Sequence, residues 1–423
     1  MTQNDPNPSP KHYHYPRGQL SATGIELEYM VVDRDTLDVR PIVDQLMHDV
    51  TGEYRSDFDP HGHDTIIGWS NELALHVVEL KTNEPVASLE GVDLLFATEV
   101  ESINRSLEAR NAMLMPTAMH PWMDPFLEMK LWPHEYNAVY EAFNRIFDCR
   151  GHGWANLQST HINLPFANDD EFGRLHAAIR LVLPLLPALA ASSPIHDGRI
   201  TGYIDSRLEV YRSNARRIPE LSGLVIPEPI FTRRDYEHEV LGSVYRALAP
   251  FDPDGILRHE WANSRGCIAR FDRGSIEIRV IDVQESPAAD LAVVALTVAA
   301  VRSLIEERWM GLAAQQSTDT ESLHSTLLDT IRHGELARIT HPQLLSAFGL
   351  CSPTSAAELW RHIASHTIAS DAPHAATIAR LLRAGTLSTR IIKALGSDTT
   401  RPRMLDVYHE LGTCLAHGTL FHA

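Results

Sequence analysis

The most aliphatic strand pattern in the chain also carries charge. In 274–284, GSIEIRVIDVQ, strict alternation puts Ile276, Ile278 and Val280 on one face and Glu277, Arg279 and Ile281 on the other. Similar patterns predict strands at 23–33 (TGIELEYMVVD), 72–82 (ELALHVVELKT), 154–166 (WANLQSTHINLPF) and 266–272 (GCIARFD), with a short one in 113–122 (MLMPTAMHPW). An Arg–Gly turn joins 266–272 to 274–282 as a β-hairpin. Helical spacing marks 87–112, 134–147, 170–191, 203–217 and 287–307. Beyond 310 the chain reads as almost wholly helical, over 322–338, 355–367, 374–384 and 402–416. Strands that read as hairpins, interleaved with long helices, predict an α+β fold with an antiparallel sheet covered by helices on one side. The expected organisation is a flexible polar, Pro-rich arm over 1–20, a catalytic unit over 21–310 and a helical region over 311–423.

The polar faces are chemically uneven. Glu26 and Glu28 share a face opposite Ile25, Leu27 and Tyr29; His161 and Asn163 share one opposite Thr160, Ile162 and Leu164. Glu72 and Glu79 lie seven apart, on opposite faces of a regular strand, so Glu72 precedes the strand or a bulge intervenes. Any one such pair is ordinary on a half-wet strand, and a lone histidine is more often structural than a ligand. Gathered on one sheet face, these carboxylates would repel one another unless cations bound there. Magnesium or manganese accepts oxygen and imidazole ligands and keeps places for water and phosphate oxygens. Arg279 would then meet a phosphate or a substrate carboxylate.

Composition narrows the classes. A formal net charge of −18, with no Lys/Arg run, argues against nucleic acid and anionic membrane as partners. The four cysteines are far apart and form no CxxC, which points to reduced thiols in the cytoplasm rather than a disulfide framework or zinc knuckle. Two apolar stretches, 177–193 and 287–305, contain Arg180 with two prolines and Asp290 with Arg302, and read as buried amphipathic helices rather than membrane spans. No signal peptide, Walker A sequence or GxSxG is present. GHGWAN at 151–156 lacks the third glycine of a dinucleotide motif, and HGHD at 61–64 reads as a Gly-rich loop rather than a hydrolase metal motif.

Taken in order, the motifs resemble the glutamate–cysteine ligase superfamily, and most of all its second family, the bacterial carboxylate–amine ligases. GIELEYMVVD looks like the family's first acidic strand, ELALHVVELKTNEP its second, and STHINLPF its His-bearing strand. SSPIHDGRITGYIDSR at 192–207 is similar to the family's S-P-x-x-x-G-R-x-T-G-Y segment, and SIEIRVIDVQESPAADLAVVAL to its late strand and following helix. The resemblance spans about 23–307 and implies a glutamine-synthetase-like fold with a curved antiparallel sheet. It implies ATP use with magnesium, or manganese, held by Glu26, Glu28, Glu72, Glu79, His161 and Glu277. Glu277 and Arg279 would be catalytic, with Arg279 at the transferring phosphate or substrate carboxylate; Arg199, Tyr203, Asn163 and Arg207 would bind substrate. The seven-residue interval is the family's own, which places Glu72 just before its strand. One departure is His161-Ile162-Asn163, where second-family members often carry His-x-His.

The implied reaction joins the γ-carboxylate of glutamate, or a similar carboxylate, to an amine such as cysteine through an acyl phosphate. The implied partners are those small molecules, and homo-oligomerisation stays open. The alternatives are a metal-dependent hydrolase using the same acidic cluster and a non-catalytic ligand-binding homologue.

Overall fold

The computed structural model describes residues 15–60 and 65–423, so the first fourteen residues of the arm and the HGHD loop lie outside it. Ten strands matter here: β1 (Gly24–Asp33), β2 (Asp57–Phe58), β3 (Ile67–Asn71), β4 (Val77–Thr82), β5 (Ala112–Met115), β6 (Ser159–Pro165), β7 (Ile195–His196), β8 (Arg199–Ile200), β9 (Cys267–Arg270) and β10 (Ser275–Asp282). Eight of them form one sheet in the order β2-β3-β4-β1-β6-β10-β9, with β5 also paired to β1, and every pairing is antiparallel. The strands β7 and β8 make a separate hairpin. This is the expected α+β architecture.

Register decides which side chains share a face. Glu26 stands opposite both Lys81 and His161, Glu28 opposite Glu79, and Glu277 opposite Asn163. Directly opposed residues point to the same side of a sheet, so the polar halves of β1, β4, β6 and β10 merge into one surface. The other side carries Leu27, Leu80, Ile162, Leu164, Ile276 and Ile278, all buried. It packs beneath the helices Val92–Leu107, Asp169–Val182 and Pro287–Ile305. Buried Asp290, in the first turn of the last of these, accepts from Thr160 Oγ1 at 2.7 Å and from the Gln284 amide at 2.9 Å. Those bonds tie the helix to β6. Burial pushes the Asp290 carboxyl up to about 7, even though both bonds favour its charged form.

Alternation fails once on β10, and the failure matters. Ile278 pairs with Ile162 but Ile281 pairs with Thr160, so residues 279 and 280 together oppose His161. This β-bulge moves Ile281, which strict alternation puts beside Glu277, to the helix side, and brings Asp282 onto the polar side opposite Ser159. The expected strand over 72–82 is really a link followed by β4; Glu72 lies in that link, directly after β3. The helix expected over 170–191 ends at Val182, because Pro184 and Pro187 break it into short turns.

Helix Pro287–Ile305 is long and apolar enough to cross a bilayer, yet 67% of its apolar window is buried inside the protein. The sequence pattern predicts a one-sided helix. The structure surrounds it with Val92–Leu107, Asp169–Val182, Ala356–Thr367 and Ala375–Ala384. Residues beyond 310 such as Leu327 and Trp360 join the same core as Ile25. The last helix, Arg401–His417, sets Met404, Tyr408 and Leu411 with Met30 and Val32 of β1.

The β9–β10 hairpin turns through Gly274 at φ +68°, where a Cβ would stand 2.6 Å from the Tyr15 ring. Gly274→Ala is therefore expected to cost about 1–3 kcal/mol from backbone strain and displacement of Tyr15. A urea unfolding curve checks this, and an unchanged midpoint would show that the turn can relax.

Candidate active site

The merged polar surface brings most of the candidate residues together. Strand β1 presents Glu26 and Glu28, β4 presents Glu79, β6 presents His161 and Asn163, and β10 presents Glu277 and Arg279, while the β3–β4 link supplies Glu72. His161 Nδ1 lies 2.8 Å from Glu26 Oε2, and Asn163 Nδ2 donates to Glu26 Oε1 at 3.0 Å. Ser159 donates to Glu28 Oε2 from its amide at 2.7 Å and its hydroxyl at 2.9 Å. That hydroxyl has one proton, so its contact with His161 Nε2 at 2.9 Å requires the ring to donate. Both ring nitrogens then donate, and the ring is an imidazolium. Burial opposes this charge, but the Glu26 bond and the carboxylates of Glu28, Glu26 and Glu277 hold His161 at about 8. The same partnership, with Arg273 and Lys81, outweighs burial at Glu26 and holds it at about 2.

Glu72 and Glu79 are under-compensated. Burial, with the charges of Glu28 and Glu26, pushes Glu72 up to about 8 against the pull of His161. Burial and the charges of Glu26 and Glu72 push Glu79 well above the usual range, although Ser70 Oγ donates to it at 2.5 Å. Glu277 is 2.9 Å from Arg279 Nε, 3.4 Å from Arg270 Nη1 and 4.0 Å from His161 Nδ1.

Two sets of three ligand atoms, each within 4.8 Å of one another, can be drawn here: Glu26, Glu79 and His161, and Glu28, Glu72 and Glu79. Glu79 is common to both. Oxygen donors with one imidazole suit magnesium or manganese, and a surface on which burial and like charge push both Glu72 and Glu79 upward is short of positive charge.

Two cavities flank the acidic surface. One of about 440 Å³ opens beside Glu26 and is lined by Lys81, Thr82, Asn163, Arg273 and Gly274. The other, of about 710 Å³, opens beside Glu28, Glu72 and His161 and reaches Arg207 and Arg279. Arg273 borders both.

A match to Glutamate-cysteine ligase family 2 runs over residues 22–404. The chain belongs to this family. An uncharacterized protein of Archaeoglobus fulgidus is 35% identical over 284 residues, 67% of this chain and 75% of that one. Among solved structures, the glutamate–cysteine ligase of Francisella tularensis in complex with AMP matches with a TM-score of 0.59 at 12% identity, over 96% of this chain and 90% of that one. A bifunctional glutathione synthetase from Pasteurella multocida matches with a TM-score of 0.52 at 15% identity, over 95% of this chain and 52% of that one. The fold is that of the glutamine-synthetase-like ligases, and the family indicates a carboxylate–amine ligase of the glutamate–cysteine ligase type.

Not every family position falls in the cavities of this member. Arg199 sits on the β7–β8 hairpin with its side chain 73% exposed, 3.9 Å from Asp197, and lines neither cavity. Tyr203 packs on the core beneath Arg332 and also lines neither. Arg207 borders the larger cavity, but its Nε is 2.6 Å from Asp282 Oδ1 in a fully buried pair. Sequence reasoning missed Lys81, Ser159, Arg270 and Arg273. Two of these had a signal, since Lys81 and Ser159 each stand two residues from a named ligand on its own strand face. Arg273 had none, because it lies in the hairpin turn.

A third cluster lies apart. His152 Nε2 and His196 Nδ1 stand 3.0 and 3.1 Å from the two oxygens of Asp197. Buried Asn156 donates Nδ2 to His152 Nδ1 at 3.1 Å, with its own amide fixed by the His120 backbone. The His152 proton therefore sits on Nε2 and points at Asp197.

Proposed function

We propose that the protein is an ATP-dependent ligase that joins the γ-carboxylate of glutamate, or a similar carboxylate, to an amine through an acyl phosphate. The observation that carries this reading is Glu79, which completes one ligand set with Glu26 of the smaller cavity and another with Glu28 and Glu72 of the larger. Magnesium or manganese held by Glu26, Glu79 and His161, the ring giving up one of its two protons to bind, with Glu277 beside them, and by Glu28, Glu72 and Glu79 would supply positive charge around the transferring phosphoryl group. The smaller cavity, flanked by Lys81 and Arg273, suits a polyphosphate, and the larger one suits the carboxylate and the amine.

In that arrangement a carboxylate oxygen attacks the γ-phosphorus and ADP leaves. The amine nitrogen then attacks the acyl carbon, phosphate leaves with the carbon–oxygen electron pair, and a carboxylate of the larger cavity accepts the proton that the amine loses. Arg279, oriented by Glu277, faces the charge that develops on the oxygens. This chemistry needs positioned charge rather than an activated nucleophile. Burial pushes the Cys149 thiol up to about 12, which suits it to packing and not to attack.

With ATP, Mg²⁺, glutamate and hydroxylamine, the protein is expected to form hydroxamate and ADP in equal amounts. No ADP above background would sink the reading for glutamate. Glu277→Gln is expected to lower that turnover about 100- to 1,000-fold while the protein still folds. Normal turnover in this variant would remove Glu277 from the site.

A further inference from the structure

The larger cavity has two unlike sides. Its charged side holds Glu28, Glu72, His161, Arg207, Arg270 and Arg279. Its other side is built by Val139, Tyr140, Phe143, Trp154, Leu157 and Trp261. The first three of these come from helix Asn137–Phe147, and with Tyr136 they follow the spacing i, i+3, i+4, i+7, so one helical face is aimed into the cavity. Phe143 is the anchor, with ring centroids 5.4 Å from Trp154 and 5.9 Å from Trp261. Trp261 is stacked on His259 at 5.2 Å. Phe143 is buried, whereas Tyr140, Trp154, Leu157 and Trp261 are only half-buried and turn apolar surface to the cavity.

Building on the ligase reading above, we infer that the amine substrate carries an aromatic or comparably bulky apolar group that this wall covers. A donor with two carboxylates belongs on the charged side, near Arg270 and Arg279. Ammonia, methylamine or cysteine would leave the aromatic wall wet. The volume of about 710 Å³ lies in the range of sites that enclose a drug-sized ligand. An arylalkylamine sets its ring against Phe143, Trp154 and Trp261 and points its nitrogen toward Glu72 and Glu28, where the acyl carbon is presented.

The test compares amines in the glutamate, ATP and Mg²⁺ assay. Hydroxylamine is too small to touch the wall and reports acyl-phosphate formation alone. Phenethylamine and tyramine are expected to give kcat/KM at least about ten-fold above cysteine and methylamine. Trp261→Ala is expected to raise KM for phenethylamine about ten-fold or more with a smaller effect on kcat, and Trp261→Phe to restore most of the loss. If hydroxamate forms but arylalkylamines show no advantage, the inference is overturned and the ligase reading stands. If no hydroxamate forms, the ligase reading fails and takes the inference with it.

Discussion

A Glu79→Gln protein is expected to lose turnover about a thousand-fold or more and yet to melt higher than the parent in metal-free buffer at pH 8. On the proposed reading the loss follows from removing a carboxylate common to both candidate cation sets, where several kcal/mol of charge stabilisation convert at about 1.4 kcal/mol per decade of rate. The gain follows from linkage. Without metal, Glu79 is held well above its ordinary value of 4.5, so the folded state binds more protons than the unfolded one, and stability falls as pH rises from there. Glu72, pushed up to about 8, acts with the same sign over 4.5 to 8. His161 reinforces it, because its stabilisation is complete below 6.5 and lost as pH rises through about 8. Glu26 acts in the opposite sense but only in acid, where its contribution disappears as pH falls from 4.5 through about 2. The metal-free parent should thus weaken steadily from about pH 5 to 9, and Mg²⁺ should stabilise it most at the alkaline end, because a ligand that binds only the folded state raises stability. Melting curves in EDTA and in Mg²⁺ across that range check the argument. A Glu79→Gln variant that keeps the full Mg²⁺ effect would remove Glu79 from the cation sites.

Arg207→Met is expected to destabilise the protein by about 3–5 kcal/mol, seen as a lower urea midpoint. Its guanidinium is the buried counter-charge of Asp282, which also accepts from the Ser192 amide and the Ser193 hydroxyl, each at 2.8 Å. Asp205 stands close by with its carboxyl pushed well above the usual range, by burial first and then by the charge of Asp282, with Arg207 opposing both. Without the arginine an unpaired charge is left inside. Adding Asp282→Asn, which removes that charge but still accepts hydrogen bonds, should recover much of the loss. If Arg207→Met instead leaves stability intact and raises KM for the carboxylate substrate, the guanidinium serves substrate rather than the fold.

The sequence was most legible where two-residue alternation continued without interruption. Glu26, Glu28, His161 and Glu277 share one sheet face because β1, β6 and β10 alternate regularly up to Ile278. Beyond that point the adjacent apolar pair Val280–Ile281 breaks the pattern, and that pair was the visible sign of the bulge. Asp282 could not be placed on the polar side without it. Glu72 was ambiguous for a related reason, since its position depends on where β3 stops and β4 starts. Arg199 and Tyr203 came from a motif alone, and a motif does not say which way a hairpin leans. The aromatic wall was invisible because its members come from separate segments at 139–143, 154–157 and 261, which meet only in the folded chain.

The final helix also bears on how the molecule is made. Strand β1 is central to the sheet and is synthesised long before the helix Arg401–His417, yet Met30 and Val32 wait for Met404, Tyr408 and Leu411 to cover them. Arg401 reaches back to Asp38 across 363 residues of chain. Contacts this distant in sequence are slow to form, and the half-finished sheet presents apolar surface until they do. Ribosome-bound chains stopped short of residue 404 should therefore stay open to proteases and chaperones, and the core around β1 closes only after the helix Arg401–His417 has been translated.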